Sequence, residues 1–188
     1  MELAHLQTKR LILRPWKSSD LESFAVMNAD PKVMQFYSNP LFREESDALA
    51  HRIQNHIAER GYGFWAVELL ETQAFIGYIG LNYWSLNASF APCVDIGWRI
   101  ASEYWGKGYA TEGASEALRY GFEVIQLEEI VSMATLHNLR SRRVMEKLHM
   151  TYNPEENFYH PMMPREHPLA LRVLYRLTES QWRSHAAI

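Results

Sequence analysis

A mixed sheet with helices packed on it is the fold class this sequence predicts, and three observations predict it. Strand and helix signals alternate in the order strand, helices, three strands, helix, strand, helix, two strands. Hydrophobic residues make up 47% and charged residues 22% of 188 residues, proportions that supply a globular core. No fixed-period repeat, low-complexity tract or linker interrupts the chain, so residues 1–188 are expected to form a single domain.

The elements follow in order. Leu11-Ile12-Leu13 before Arg14-Pro15 reads as a short strand. Ser19-Asp20-Leu21-Glu22 has capping-box spacing and opens a helix to about Asn28. Asp30-Pro31 starts a further short turn of helix. From Glu44 to Arg60 the apolar Leu49, Ile53 and Ile57 recur every fourth residue, and Gly61 stands where a helix stops. Phe64 to Leu70 and Ala74 to Tyr83 are aromatic and β-branched, with the polar Glu71-Thr72-Gln73 between them as a hairpin turn. Ala91 to Ile100 is a third central strand. Ala110, Ala114, Ala117, Leu118 and Phe122 then mark one face of a long helix. Ile130 to Ala134 is a strand, Leu139 to Leu148 a helix, and Thr151 to Tyr159 and Leu169 to Leu177 two more strands. The segment His160 to Pro168 holds three prolines and is expected to be irregular.

Charge and composition narrow the function classes. The net charge of −3 gives no global field for nucleic acid, so a polyanion must be met by local groups. Cys93 is the only cysteine, which excludes an intramolecular disulfide and a cysteine-rich zinc site. His51 and His56 are five apart, the wrong spacing for paired ligands on one helix face, and no metal is expected. No stretch approaches the ~20 apolar residues of a membrane span, and no signal peptide is legible, so a cytoplasmic protein without membrane partners is expected.

The informative segment is Glu103-Tyr104-Trp105-Gly106-Lys107-Gly108-Tyr109-Ala110-Thr111-Glu112, set between a strand and a long helix. Two glycines one residue apart let the backbone turn tightly and approach a ligand without a Cβ in the way. The helix behind them presents unpaired N–H groups and the positive end of its dipole, a ready site for phosphate. A P-loop is excluded because Lys107 is followed by glycine. A dinucleotide fingerprint is excluded because Thr111 replaces the third glycine, and Glu128 and Glu129 precede the next strand rather than follow it. A structural turn is the alternative for a lone G-x-G.

The loop resembles the pyrophosphate loop of the GNAT N-acetyltransferase superfamily, with Glu103 departing from the Gln or Arg at its first position. Asn138-Leu139-Arg140-Ser141 through Lys147-Leu148 resembles that family's second coenzyme element, with His149-Met150 in place of Gly-Phe. Thr8-Lys9-Arg10-Leu11-Ile12-Leu13-Arg14-Pro15, Asp95-Ile96-Gly97-Trp98 and Val173-Leu174-Tyr175-Arg176-Leu177 are similar to the branch of ribosomal-protein N-terminal acetyltransferases and their small-molecule relatives. The resemblance runs over nearly the whole chain. It implies a mostly antiparallel α/β sheet with one splayed strand pair and helices on both faces, and acetyl-CoA as cosubstrate.

The resemblance also assigns residues. Gly106, Lys107, Gly108, Tyr109, Ala110 and Thr111 cradle the coenzyme diphosphate. Trp98 and Ile100, on the splayed strand, pair with the pantetheine amides. Asn138 hydrogen-bonds the pantetheine arm, a role compatible with a helix N-cap. Ser141 shares a helix face with Val144, Met145 and Leu148 and stands beside the coenzyme sulfur as a proton donor; a local capping serine is the alternative. Asp95, on a strand where relatives hold a carboxylate near the amine, and His160, in the segment that lines their acceptor pocket, are the candidate bases. An Asp95–Arg99 ion pair and an exposed loop histidine are the alternatives to those two roles. Together these imply direct acetyl transfer in a ternary complex to a primary amine, either a protein N-terminus or a small molecule, by a monomer or homodimer. The rival is a coenzyme-binding sensor or interaction domain without catalysis, motivated by the absence of an unambiguous base.

Overall fold

A computed structural model describes residues 4–186. The chain divides into two compact units, one holding the residues up to Asn82 with Gly97–Ala117, the other Tyr83–Ile96 with the residues from Leu118 onward.

In the first unit, β1 (Leu6–Gln7), β2 (Leu11–Arg14), β3 (Phe64–Leu69) and β4 (Phe75–Trp84) lie side by side and antiparallel. The Gly97–Ile100 end of β5 (Cys93–Ile100) follows β4, and the Ala101 amide donates to the Ile76 carbonyl. A Cβ on Gly77 would stand 2.0 Å from the Arg99 carbonyl oxygen, so that close approach requires glycine. The register pairs Leu13 with Val67 and Trp65 with Ile79, which puts Leu11, Leu13, Trp65, Val67 and Ile79 on one face. A helix, α4 (Tyr109–Glu123), closes on that face at Gly113, whose absent Cβ would meet Ile79, Leu11 and Leu13. The opposite face carries Tyr78 and Phe64, packed with Phe24 and Met27 of α1 (Asp20–Ala29) and Ile53 of α3 (Arg43–Arg60). Helices thus cover both faces of this unit, as the period-two and period-3.6 patterns together require.

The helix boundaries follow local chemistry with one exception. Asp30 accepts from the Lys32 amide to start α2 (Pro31–Met34), and Glu45 accepts from the Phe42 amide at the start of α3. Gly61, at φ 76°, closes α3 with its N–H on the Ile57 carbonyl. The capping box expected at Ser19 does not form: the Ser19 side chain makes no cap bond. Asp20, the next residue, is instead drawn to the amide of Lys17 and to the Arg14 guanidinium.

That guanidinium is the centre of a buried ion network. Arg14 is 5% exposed, Asp20 2% and Glu68 8%. Arg14 forks onto both Asp20 oxygens at 2.7 and 2.8 Å and sends Nε to Glu68 at 2.6 Å. Burial pushes the Glu68 carboxyl up, but the hydrogen bonds and charges of Arg14 and Lys17 hold it below its ordinary value.

In the second unit, β6 (Glu129–Thr135) and β9 (Leu171–Thr178) form the longest ladder, antiparallel from Glu129↔Thr178 to Thr135↔Arg172. The early part of β5 pairs with β6 in parallel at Asp95 and Val131, and the Ser132 hydroxyl donates to the Ile96 carbonyl. The expected strand Thr151 to Tyr159 is broken in two, β7 (Thr151–Tyr152) and β8 (Phe158–Tyr159), both docked antiparallel on β9. The sheet is therefore mostly antiparallel, with the β5–β6 pair as its parallel member. Pro154 has no N–H for a ladder and opens a 3-10 turn over Pro154–Glu156, capped by Asn153 on the Glu155 amide. The helix α5 (Leu139–Lys147) lies where the periodicity puts it. A last helix, α6 (Glu179–Ala186), extends beyond the expected elements, and Trp182 on it stacks on Phe122 at 5.4 Å. Among the described residues no helix is long and apolar enough to cross a membrane, and no group of three or more His, Cys, Asp or Glu side chains is arranged to hold a metal.

Candidate functional site

The glycine loop owes its shape to residues that only glycine serves. Gly106 and Gly108 sit at φ 77° and 84°, in the left-handed region that a side chain disfavours. In front of Gly106 nothing lies within 4 Å of where a Cβ would be, and Gly106, Lys107 and Gly108 are exposed. A 3-10 turn over Ser102–Tyr104 delivers the chain to this loop, pinned by Trp105 Nε1 on the Ile100 carbonyl and by Ser102 on Asp30. The first bond of α4 runs from the Glu112 amide to the Gly108 carbonyl, so the amides of Tyr109, Ala110 and Thr111 lie ahead of the ladder. Open space, positive backbone dipoles and a chain without Cβ obstruction suit a diphosphate.

A clamp that the sequence did not disclose fixes this loop. Glu112, in the first turn of α4, accepts from the Thr8 hydroxyl at 2.6 Å, the Arg10 amide at 2.9 Å and Arg10 Nε at 2.6 Å. Arg10 also donates from Nη1 to the Lys107 carbonyl and covers the Tyr109 ring at 4.6 Å. Burial pushes the Glu112 carboxyl up, and the bonds from Thr8 and Arg10 overcome this and hold it below its ordinary value. Arg10 thereby offsets a carboxylate that would otherwise repel an anion at the same helix end. The signal for it is the Thr8-x-Arg10 pair, but its partner lies about a hundred residues away, beyond any local pattern.

On β5, Trp98 is half-buried and Ile100 is buried. The Ile100 carbonyl is occupied by the Trp105 indole, so of its backbone groups the carbonyl is already used. Between them Arg99 is 7% exposed and donates from Nη1 to Asn28 Oδ1 at 2.6 Å. Its guanidinium lies 4.1 Å from the Tyr37 ring centroid and 5.4 Å from that of Tyr78.

The second unit carries the remaining candidates. Asn138 caps α5, its Oδ1 accepting from the Ser141 amide at 3.1 Å, so the capping role is real. Ser141 is half-buried, and among the described residues its hydroxyl has no hydrogen-bond partner. Met145 and Leu148 on its face are buried, while Arg140, Arg143 and Lys147 are exposed on the others. Asp95 is half-buried beside β6. Burial, aided by the Asp95 charge, pushes the Cys93 thiol up to about 12, which leaves it a poor nucleophile.

His160 is half-buried and follows β8; its amide donates to the Ala170 carbonyl, and its Nδ1 accepts from the Met162 amide at 3.2 Å. Burial first, and the Arg172 charge second, lower its pKa below the ordinary 6.5, so the ring is neutral at pH 7. With Nδ1 accepting, the neutral ring carries its proton on Nε2. His167 repeats the pattern on the Leu169 amide.

Comparison with known proteins identifies the family to which this fold belongs. A family model described as an acetyltransferase (GNAT) domain matches residues 10–151. The chain is 28% identical over 179 residues to the uncharacterized N-acetyltransferase YnaD of Bacillus subtilis, covering 95% of this chain and 99% of that one. It is 29% identical to the FsC-acetyl coenzyme A-N(2)-transacetylase of Aspergillus fumigatus, over 94% of this chain and 77% of that protein. Among solved structures, an acetyltransferase from Agrobacterium tumefaciens superposes with a TM-score of 0.75 at 26% identity, covering 94% and 95% of the two chains.

Proposed function

Because the chain belongs to the GNAT acetyltransferase family and is an N-acetyltransferase, we propose that residues 1–188 act as one catalytic domain that moves acetyl from acetyl-CoA directly to a primary amine. The observation that carries this reading is the pair of left-handed glycines at the start of α4, with open space before Gly106 and the Arg10 guanidinium beside Gly108. That geometry supports a diphosphate held by the amides of Gly106 to Thr111, with the pantetheine running along β5 at Trp98 and Ile100.

The transfer has three requirements. The amine must be neutral to attack, the carbonyl oxygen needs a donor as charge develops, and the sulfur must leave stabilised. In the proposed step the amine nitrogen bonds the acetyl carbon, the C–S bond breaks, one amine proton goes to a base, and the sulfur takes up a proton. Ser141, with a hydroxyl that no described residue engages, is the donor to the sulfur. A backbone N–H of β5 polarises the carbonyl, Asn138 holds the pantetheine arm as well as capping α5, and Asp95 and His160 are the groups that take the amine proton. For His160 that demands release of the Met162 amide from Nδ1, where the neutral ring's accepting lone pair lies. An α-amine, with a pKa of ~8, asks less of either group than a lysine at ~10.4.

The acceptor is a protein N-terminus or a small amine, the enzyme a monomer or homodimer, and its setting the cytoplasm. Thiol release from acetyl-CoA against a panel of amines and N-terminal peptides, with mass analysis of the product, tests the reading. Amine-dependent thiol with a product heavier by one acetyl group is the expected result. Tight coenzyme binding without it would leave a sensor domain.

A further inference from the structure

Arg99 is the feature that neither the fold nor the proposed transfer consumes. A guanidinium stays charged in any protein environment, and burying a charge without a counter-charge is strongly unfavourable. Arg99 is buried, yet among the described residues it has no carboxylate partner. It has the neutral Asn28 oxygen at 2.6 Å and two tyrosine side chains, and its Nε has no acceptor at all. Asn28 is itself held by a bond to Ser46, so the amide oxygen is presented to the guanidinium and not chosen by chance. Tyrosines and one amide offset only part of the burial of a cation. Tyr37, in the segment joining α2 to α3, covers the guanidinium and is 40% exposed, so a rotatable side chain that reaches the surface lies against the charge.

Resting on the acetyltransferase reading, we propose that Arg99 receives a carboxylate carried by the acceptor, so that the substrate is a small amine bearing a carboxylate rather than a polycation. The planar fork of a guanidinium matches a carboxylate, and Nε is the half of that fork left unused. Asn28 and Tyr78 hold the guanidinium in place, and Tyr37 swings aside as the carboxylate enters. Arg99 sits on β5 between Trp98 and Ile100, the strand assigned to the coenzyme, which puts the anion site on the same element as the donor.

The experiment compares glycine, glycinamide and spermidine as acceptors, and N-acetylglycine with N-acetylglycinamide as ligands in calorimetry. The wild-type protein is expected to show a KM at least about tenfold lower for the acid than for its amide. Arg99→Met brings that ratio to about one with kcat for the amide retained, and Arg99→Lys keeps part of it because the charge remains without the fork. Tyr37→Leu strips the ring from the guanidinium but leaves its charge and its Asn28 bond, and is expected to keep the preference; Arg99→Lys, which retains a buried charge, covers the case in which Arg99→Met does not fold. Equal KM for acid and amide, or a preference for spermidine with brisk thiol release, overturns the carboxylate site and leaves the acetyltransferase reading intact. If no amine releases thiol, the transfer reading falls instead. The calorimetry then still decides, since N-acetylglycine binding that Arg99→Met abolishes upholds the site and its absence in the wild type overturns it.

Discussion

Two arginines are buried in the same unit, and they are treated in opposite ways. Arg14 has two carboxylates, with every bond to them from 2.6 to 2.8 Å. Arg99, equally hidden, has an amide oxygen, two tyrosines and an orphaned Nε. A folding sequence that can supply Asp20 and Glu68 to one guanidinium supplies none to the other. The satisfied cation belongs to the scaffold, and the unsatisfied one marks a place where something else is to bind.

The largest expected effect tests that contrast at its root. Arg14→Met strands two buried carboxylates and is expected to lower stability by about 3–5 kcal/mol in urea unfolding. Arg99→Met strands only the Asn28 oxygen and is expected to cost about 1–3 kcal/mol or less. Equal losses would break the distinction. The same logic extends to the second unit, where the Ser141 hydroxyl is unengaged. Ser141→Ala is expected to lower kcat about a hundredfold while the melting temperature stays put. Unchanged turnover would return Ser141 to a helix-start role.

Smaller effects follow at the glycine loop. Gly108→Val forces a β-branched residue to φ 84° and is expected to cost about 1–2 kcal/mol and to raise the KM for acetyl-CoA, while Gly108→Asn does less of both. Glu112→Gln, a change at a fully engaged carboxylate, is expected to cost about 1 kcal/mol at pH 7. Its pH signature follows from the sign of the shift. Glu112 is depressed in the folded state, so its contribution is complete above the ordinary 4.5 and is lost as the pH falls below it. Stability of the wild type should therefore fall more steeply than that of Glu112→Gln below about pH 4.5. Parallel acid limbs would show that the clamp does not stabilise the charged form.

What the sequence disclosed and what it hid divide along the range of the interactions. The glycine loop, the α3 stop at Gly61 and the start of α5 at Asn138 rest on chemistry within a few residues, and all three are legible. The break at Pro154 is also local, yet the apolar and aromatic residues around it read as one continuous strand, and β9 was needed to show two docked ends. The Thr8–Arg10–Glu112 clamp and the Asn28–Arg99 contact join residues far apart in sequence, so no window could contain them. Ser19 illustrates the reverse: the capping-box spacing is present, but the Ser19 side chain makes no cap bond and Glu22, the acid of the box, accepts from Arg43 on another helix.

The shielded state of Cys93 bears on how any of these measurements is made. Coenzyme release is followed with reagents that react with sulfhydryl anions, and a protein's own cysteine usually contributes a drifting background. With its thiol at about 12, Cys93 would carry only about one anion in ten thousand molecules at pH 8. Colour formed in such an assay would come from the released coenzyme, and labelling by alkylating agents would report unfolding rather than the native chain.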